Sequence, residues 1–156
     1  MNEQAVIERM TERGLKLATA ESTVGGLIGH LLTNVPGSSK VFVGGITAYA
    51  GGAKASVLKI DMETIRSEGS VAGKTVAAMA ASVRSAFDVD VAVSESGMAA
   101  PRDLSQPAKG TYYIGIEAEG YERVERYEFD GDRESTKQQA ADQALQLVLD
   151  YLDATS

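Results

Sequence analysis

The sequence of 156 residues has no cysteine and a single histidine, His30. Without cysteine the chain can form neither a disulfide nor a thiolate metal site, and a cysteine nucleophile is excluded. One histidine is too few for most metal centres, so we expect no metal and no cofactor. His30 also lies off the apolar face of its predicted helix, where it should meet solvent. This position argues against a Ser-His-Asp triad.

Long apolar runs are absent as well, and none approaches the ~18 residues that a membrane helix needs. The first ten residues, MNEQAVIERM, carry acids and lack the basic-then-apolar plan of a signal peptide. We therefore expect a cytoplasmic protein without a membrane partner. At about 150 residues per domain, the chain should form one domain over residues 1–156.

Positive charge is scarce in the second half of the chain. Residues 1–60 hold six Lys/Arg against four Asp/Glu, whereas residues 61–156 hold nine against eighteen. An acidic surface repels a polyphosphate backbone, so nucleic acid is not an expected partner. A small anionic ligand near the front half remains open, and so does the simpler interpretation of an acidic surface that aids solubility.

Helical and strand patterns alternate along the chain, and a β-hairpin follows them. This order predicts a three-layer α/β/α sandwich with a mixed, mostly parallel sheet. The predicted strands are 15–20, 41–50, 89–93, 111–118 and 121–129, and the predicted helices are 3–13, a segment after Gly26, a long segment from about Ser70, which could cap it, to Phe87, and a last segment after Asp132.

Ligands of such sheets bind beyond the carboxyl ends of the parallel strands. That rule brings together Ser22 after the first strand, Tyr49 and Lys54 after the second, and Ser94 and Ser96 after the third. Ser22 precedes a helix, and free N–H groups there could hold an anion.

Each of these residues also has an ordinary interpretation. A serine before a helix is commonly its cap, a pair such as Gly25-Gly26 can serve close packing, and a lysine is usually solvated. Tyr49 could be an interfacial aromatic residue. If Lys54 is desolvated, its lowered pKa would allow it to activate a serine as a base. A Ser-Lys-Tyr cluster is thus the hydrolytic chemistry that this composition permits.

The segment from Ala20 to Lys54 resembles the start of the CinA C-terminal domain family, the nicotinamide-mononucleotide amidases. That family typically reads A-E-S-C-T-G-G, then V-P-G-S-S, then a strand ending in Y-S-N-x-x-K. The matching positions here are Ala20-Glu21-Ser22, Gly25-Gly26, Val35-Pro36-Gly37-Ser38-Ser39, Tyr49 and Lys54. Further on, Ser96-Gly97-Met98-Ala99 is similar to T-G-I-A, and Phe129 to Arg133 is similar to F-x-G-D-R.

The resemblance implies a Ser/Lys amidohydrolase that releases ammonia from the carboxamide of nicotinamide mononucleotide. Its implied catalytic residues are Ser22, Lys54 and Tyr49. Ser22 would be the nucleophile and Lys54 the base, and Tyr49 would orient Lys54 or relay a proton to the leaving ammonia. The resemblance implies substrate binding by Ser39, Ser96 and Arg133, with the phosphate held by Ser39 and Arg133. Thr23, Gly25 and Gly26 are predicted to bind the substrate through backbone N–H groups, which could form an oxyanion hole. It also implies a homo-oligomer.

Either Ser22 or Ser39 could be the nucleophile by residue type, and strand geometry favours Ser22. At ~3.3 Å per residue, an unbroken strand would separate Ser39 from Tyr49 by ~30 Å. Ser39 would then meet Lys54 only across a subunit boundary.

Several positions depart from the family pattern. Val24, Ala50 and Gly51 stand where the family has hydroxyl or amide side chains, and residues 100–110 replace its glycine-rich loop. Buried hydrogen bonds are worth on the order of 1–3 kcal/mol each when lost. An inactive module that binds a nucleotide or a protein through the same cleft is therefore the alternative function.

Overall fold

Five strands form one sheet in the computed structural model, which describes residues 1–156. The strands are β1 Leu17–Glu21, β2 Phe42–Thr47, β3 Val91–Met98, β4 Lys109–Ala118 and β5 Tyr121–Asp130. The helices are α1 Asn2–Arg13, α2 Leu27–Thr33, α3 Gly51–Leu58, α4 Met62–Glu68, α5 Gly73–Phe87 and α6 Arg133–Ala154, with a short 3₁₀ helix at Ser38–Lys40.

The sheet has the strand order β2-β1-β3-β4-β5. β1 pairs in parallel with both β2 and β3, and β4 runs antiparallel between β3 and β5. Four strands thus point one way and β4 points the other, as expected for a mixed, mostly parallel sheet. The hairpin between β4 and β5 turns at Gly120, whose φ of 69° suits glycine.

Helices cover both faces of the sheet, which confirms the predicted α/β/α sandwich. One face packs against α1, α2 and α6 around a core that includes Ile28, Ile114 and Leu145. The other face packs against α5, with α3 and α4 beside it, around a smaller core that includes Val76 and Met79. The apolar periodicities of helices such as α1 and α5 produce this arrangement, since each of these helices buries one face.

Local sequence signals fix several helix ends. Gly14 ends α1 in the left-handed conformation with a φ of 68°. The Asp132 side chain caps α6 by accepting a hydrogen bond from the Ser135 N–H at 2.9 Å. These ends agree with the sequence-based expectation.

The region between β2 and α5 differs from the prediction. β2 ends at Thr47, whereas the predicted strand ran to residue 50. Two short helices, α3 and α4, follow in a region for which the sequence predicted no element. The predicted strand was too long because residues 48–50 are as apolar as the strand that precedes them. Ser70 does not cap α5, which begins at Gly73 after Ala72. None of the helices combines the length and apolar character required to cross a bilayer.

Candidate active site

Two polar side chains meet beyond the carboxyl ends of the parallel strands. Ser22 directly follows β1, and Lys54 lies in the second turn of α3, the helix that follows β2. Because β1 and β2 are parallel neighbours, their carboxyl ends reach the same edge of the sheet. Lys54 Nζ lies 2.9 Å from Ser22 Oγ. Both residues are buried, and the lysine is only 1% exposed.

Lys54 Nζ has two further hydrogen-bond partners, both backbone carbonyls. It donates to Ala48 O at 3.0 Å and to Tyr49 O at 3.1 Å. The three partners match the three donors of an ammonium group. They also suit a neutral amine, because two N–H groups can serve the carbonyls while the lone pair faces the Ser22 hydroxyl.

Burial lowers the pKa of Lys54 from its ordinary value, because the charged ammonium loses solvation. The negative charge of Glu95 acts in the opposite direction. The net effect favours the neutral amine more than in a solvated lysine.

Glu95 holds the chain turn that carries Ser22. Its Oε1 accepts hydrogen bonds from the Ser22 N–H at 2.6 Å and from the Val24 N–H at 3.0 Å. Glu95 lies within β3 and has no exposed surface. Burial raises its pKa to about 7, and the two N–H bonds and the charge of Lys54 moderate the rise.

Sequence reasoning missed Glu95. Its only signal is a carboxylate in the middle of the otherwise buried strand VAVSESGM. A glutamate is almost never fully buried without a specific function or partner, and this rule could have identified it.

Glu21 fills the anion-binding position predicted at the start of α2. Its carboxylate accepts hydrogen bonds from the Ile28 N–H at 2.8 Å and the Gly29 N–H at 3.1 Å. Burial raises the pKa of Glu21, while these bonds oppose the rise. The expected free N–H groups at this helix end are thus already bound by a side chain of the protein itself.

Most N–H groups of the turn after Ser22 are engaged too. The Gly25 N–H donates to Ser22 O at 3.1 Å, and Glu95 binds those of Ser22 and Val24. Only the Thr23 N–H within Ser22–Gly25 has no acceptor in the chain. Gly25 and Gly26 adopt positive φ values of 68° and 97°, which explains the glycine pair.

The Thr23 side chain is engaged in holding β3 to this turn. Its hydroxyl donates to Gly97 O at 2.6 Å and accepts from the Gly97 N–H at 3.0 Å. Ser94 and Ser96 lie within β3 and not after it, because the strand continues to Met98 in its pairing with β4. Ser96 is buried, and its hydroxyl, which was expected to bind substrate, donates to Ser70 O at 2.8 Å. The hydroxyls of Thr23 and Ser96 are thus both bound to backbone groups of the protein.

Tyr49 and Ser39 lie differently from the expected arrangement. Tyr49 contacts Lys54 through its backbone carbonyl, whereas its ring is exposed and borders the cleft next to the site. Ser39 is exposed in the 3₁₀ helix before β2, at the opposite end of that strand from Lys54. The structure therefore does not bring Ser39 to the site within one chain.

Arg133 lies at the first position of α6 and borders two depressions. One is a cleft of about 370 Å³ beside Ser22, lined by residues that include Thr23, Tyr49, Met98, Arg102, Leu104 and Arg133. The other is a groove of about 570 Å³ between the starts of α2 and α6, lined by residues that include Gly25, Gly26, His30, Arg133, Glu134 and Lys137. Arg133 is exposed, so its guanidinium can reach a ligand in either depression.

No cluster of three or more His, Asp or Glu side chains is placed to hold a metal ion.

The sequence matches the family model described as "CinA C-terminal domain" over residues 1–152. This chain belongs to the CinA C-terminal domain family. A protein of Moorella thermoacetica is 39% identical over 140 residues, which cover 89% of this chain and 34% of that protein. The CinA-like protein of Syntrophotalea carbinolica is 36% identical over 149 residues, which cover 94% of this chain and 36% of that protein. The chain thus matches about a third of the length of these relatives.

The fold of this CinA family member also matches a crystal structure of a related protein. The competence-damaged protein (CinA) superfamily protein of Klebsiella pneumoniae superposes with a TM-score of 0.91 at 26% sequence identity. The superposition covers 98% of this chain and 96% of that one. The whole sandwich, with both helical layers, is therefore a CinA fold.

Proposed function

We propose that this domain is an amidohydrolase that hydrolyses the carboxamide of nicotinamide mononucleotide, or of a related pyridine nucleotide, and releases ammonia. The observation that carries the proposal is the 2.9 Å contact between Lys54 Nζ and Ser22 Oγ. A buried lysine beside a serine is the pairing that a Ser-Lys mechanism needs, because a desolvated lysine can accept the serine proton.

In the first half of the reaction, neutral Lys54 takes the hydroxyl proton of Ser22 while Oγ attacks the carboxamide carbon. The Thr23 N–H is the backbone donor available to the developing oxyanion. The C–N bond then breaks, and the nitrogen leaves as ammonia with the proton that Lys54 had accepted. An ester between Ser22 and the pyridine carbonyl remains.

In the second half, water replaces ammonia. Lys54 accepts a proton from the attacking water, the ester bond to Oγ breaks, and the proton returns to Ser22. The products are the pyridine carboxylate and the free enzyme. The carbonyls of Ala48 and Tyr49 keep Nζ in place in both protonation states.

The cleft beside Ser22 has apolar and basic side chains in its lining, as a pyridine nucleotide requires. Tyr49, Met98 and Leu104 offer exposed apolar surface for a pyridine ring. Arg133 at its border would bind the phosphate, as a guanidinium binds phosphate oxygens with two parallel bonds. Gly25 and Gly26 line the adjoining groove, where the absence of side chains leaves room for the ligand.

Ser39 would join this site only from a second subunit. β2 is an edge strand whose sequence, FVGGIT, contains no charge, so nothing on it opposes pairing with another chain. The proposal therefore includes a homo-oligomer, acting in the cytoplasm, in which the neighbouring subunit supplies its Ser39.

A second candidate function is a module that binds a nucleotide without hydrolysing it. The observation in its favour is the engagement of the N–H groups of Ser22 and Val24 by Glu95, which leaves a single backbone donor for an oxyanion. Removal of one oxyanion donor costs an enzyme about 10²–10³ in rate.

An ammonia-release assay with nicotinamide mononucleotide distinguishes the two functions. We expect turnover by the wild type and none above the buffer rate by Ser22→Ala. Thermal stabilisation by the nucleotide without ammonia release would establish the binding module. Equal rates for the wild type and Ser22→Ala would refute the serine mechanism.

A further inference from the structure

The buried carboxyl group of Glu95 makes hydrogen bonds through only one of its two oxygens. Oε1 accepts two backbone N–H groups, one of them from Ser22 itself. Oε2 is buried and has no hydrogen-bond partner in the chain. A buried polar atom without a partner destabilises the fold, so its retention calls for a functional explanation.

The charged and titratable groups around Glu95 come from three elements. Glu21 of β1 repels its charge, and Lys54 of α3 attracts it. Burial raises the pKa of Tyr112 of β4, and the negative charge of Glu95 raises it further. The turn before α2 contributes only backbone N–H groups, and Arg133 of α6 is exposed at the helix start. Lys54 is therefore the only cation that acts on Glu95 from the buried site.

We propose that Glu95 is a positioning residue that acts on the Ser22–Lys54 pair in two ways. Its Oε1 fixes the backbone of Ser22. The presence or absence of a proton on its Oε2 controls which fraction of Lys54 is the neutral amine. The catalytic consequence rests on the proposed function, whereas the coupling between Glu95 and Lys54 does not.

The coupling follows from the two forms that the pair can take with a single proton. When Glu95 is ionised, its charge favours the ammonium form of Lys54, which cannot accept the Ser22 proton. When the proton lies on Oε2, that attraction disappears and Lys54 is a free amine. Oε1 then accepts the same two N–H groups as a carbonyl oxygen, so the turn keeps its geometry. The backbone contact thus survives both charge states.

Glu95→Gln tests this coupling because an amide keeps a carbonyl oxygen for the two N–H groups and has no charge. We expect the Lys54 titration midpoint to fall by about one pH unit or more, the effect of losing an opposite charge nearby. The measurement is the ¹³C shift of Cε in lysine-labelled protein, with the Lys54 signal assigned by its loss in Lys54→Met.

Glu21→Gln is the matched control. Glu21 is also a buried carboxylate of the site region, but it binds the N–H groups of α2 and is not among the groups that shift Lys54. Glu21 acts on Lys54 only through Glu95, whose charge it repels, so its replacement should not lower the Lys54 midpoint as Glu95→Gln does. Superposed titration curves for the wild type and Glu95→Gln would overturn the proposal.

Wild-type protein alone provides a second test that does not depend on the folding of a variant. Interacting groups titrate in shared steps, so the Lys54 Cε and Glu95 Cδ curves should each show an inflection at the midpoint of the other. A Lys54 curve with a single midpoint and no response to Glu95 would refute the coupling.

A kinetic readout separates this proposal from the proposed function. Glu95→Asp keeps the charge but shortens the side chain by one methylene, so it should lower kcat by losing the hold on the Ser22 turn. Glu95→Gln should instead extend kcat/KM to lower pH. If the wild type releases no ammonia and the Lys54 midpoint still shifts in Glu95→Gln, the amidase fails and the coupling stands. If ammonia is released and the Lys54 midpoint does not shift, the amidase stands and the coupling fails.

Discussion

Lys54 Nζ lies 2.9 Å from Ser22 Oγ, although 32 residues separate the two in the chain. The contact exists because β1 and β2 are parallel neighbours and each is followed at once by a helix or a turn. The two backbone carbonyls that also bind Nζ leave the serine as its third partner.

Ser22 and Lys54 should act as one unit. We expect Ser22→Ala and Lys54→Met each to reduce ammonia release by on the order of 10³-fold or more, and the double variant to be no worse than either. Steady-state rates with nicotinamide mononucleotide measure the effect. Lys59→Met, which removes an exposed lysine just after α3, is the control and should keep the wild-type rate. Additive losses in the double variant would show that the two side chains act independently.

Activity should rise with pH. Only neutral Lys54 can accept the Ser22 proton, and burial lowers its pKa from the ordinary value of 10.5. The acidic limb of kcat/KM against pH should therefore have its midpoint below 10.5 and report the titration of the lysine. The arginine side chain of Lys54→Arg stays protonated in this range and cannot accept the serine proton. We therefore expect no turnover by this variant at any pH in the range. A flat profile for the wild type would remove Lys54 as the base.

Stability should depend on pH through Glu95. Its folded-state pKa is about 7 against an ordinary value of 4.5, so the folded protein keeps a proton that the unfolded chain releases between these values. This contribution is fully present below pH 4.5 and is lost as the pH rises to about 7. Glu95→Gln has no such carboxyl group, so its free energy of unfolding should rise relative to that of the wild type across this range, by roughly 3 kcal/mol at most.

Urea denaturation at several pH values between 4 and 8 measures this difference. Glu128→Gln provides the contrast, because exposed Glu128 has a lowered pKa from its bonds to Lys109 and Arg126. Its carboxylate stabilises the fold above its ordinary pKa, so its loss should have a small effect of opposite sign. A pH-independent difference for Glu95→Gln would show that the buried carboxyl group does not titrate in this range.

Arg133→Gln should weaken substrate binding with little change in kcat. A hydrogen bond to a charged group contributes about 1.5–3 kcal/mol, which corresponds to a rise in KM of about 10- to 150-fold. Arg66→Gln on α4 removes the same charge from an exposed position that lines neither depression, and it should leave KM unchanged. The nucleoside without phosphate should not distinguish Arg133→Gln from the wild type. If it does, Arg133 contacts another part of the substrate.

Ser39 should affect activity only through a second subunit. β2 spans six residues, so the ends of the strand lie roughly 20 Å apart. We expect light scattering to show an oligomer, and we expect mixtures of Ser22→Ala and Ser39→Ala protein to recover activity that neither variant has alone. Full activity of Ser39→Ala by itself would exclude Ser39 from the site.

The sequence was most informative where general rules act on single residues. Ser22 and Lys54 could be assigned to one edge of the sheet because parallel strands end there together. The path through α3 could not be predicted, since a short helix beginning with two glycines has little amphipathic pattern. Glu95 escaped prediction because its partners are backbone N–H groups of a turn 71 and 73 residues away. Such contacts depend on strand register, which one sequence does not reveal.

The edge position of β2 makes the contact between Ser22 and Lys54 sensitive to unfolding of the sheet edge. Lys54 and the two carbonyls that bind it belong to one short stretch of chain, whereas Ser22 belongs to the interior of the sheet. β2 has a neighbour on one side only, so detachment of this strand would carry the lysine away from the serine and leave the other four strands paired. Fraying of the sheet edge would thus separate Ser22 from Lys54 before the rest of the sheet unfolds.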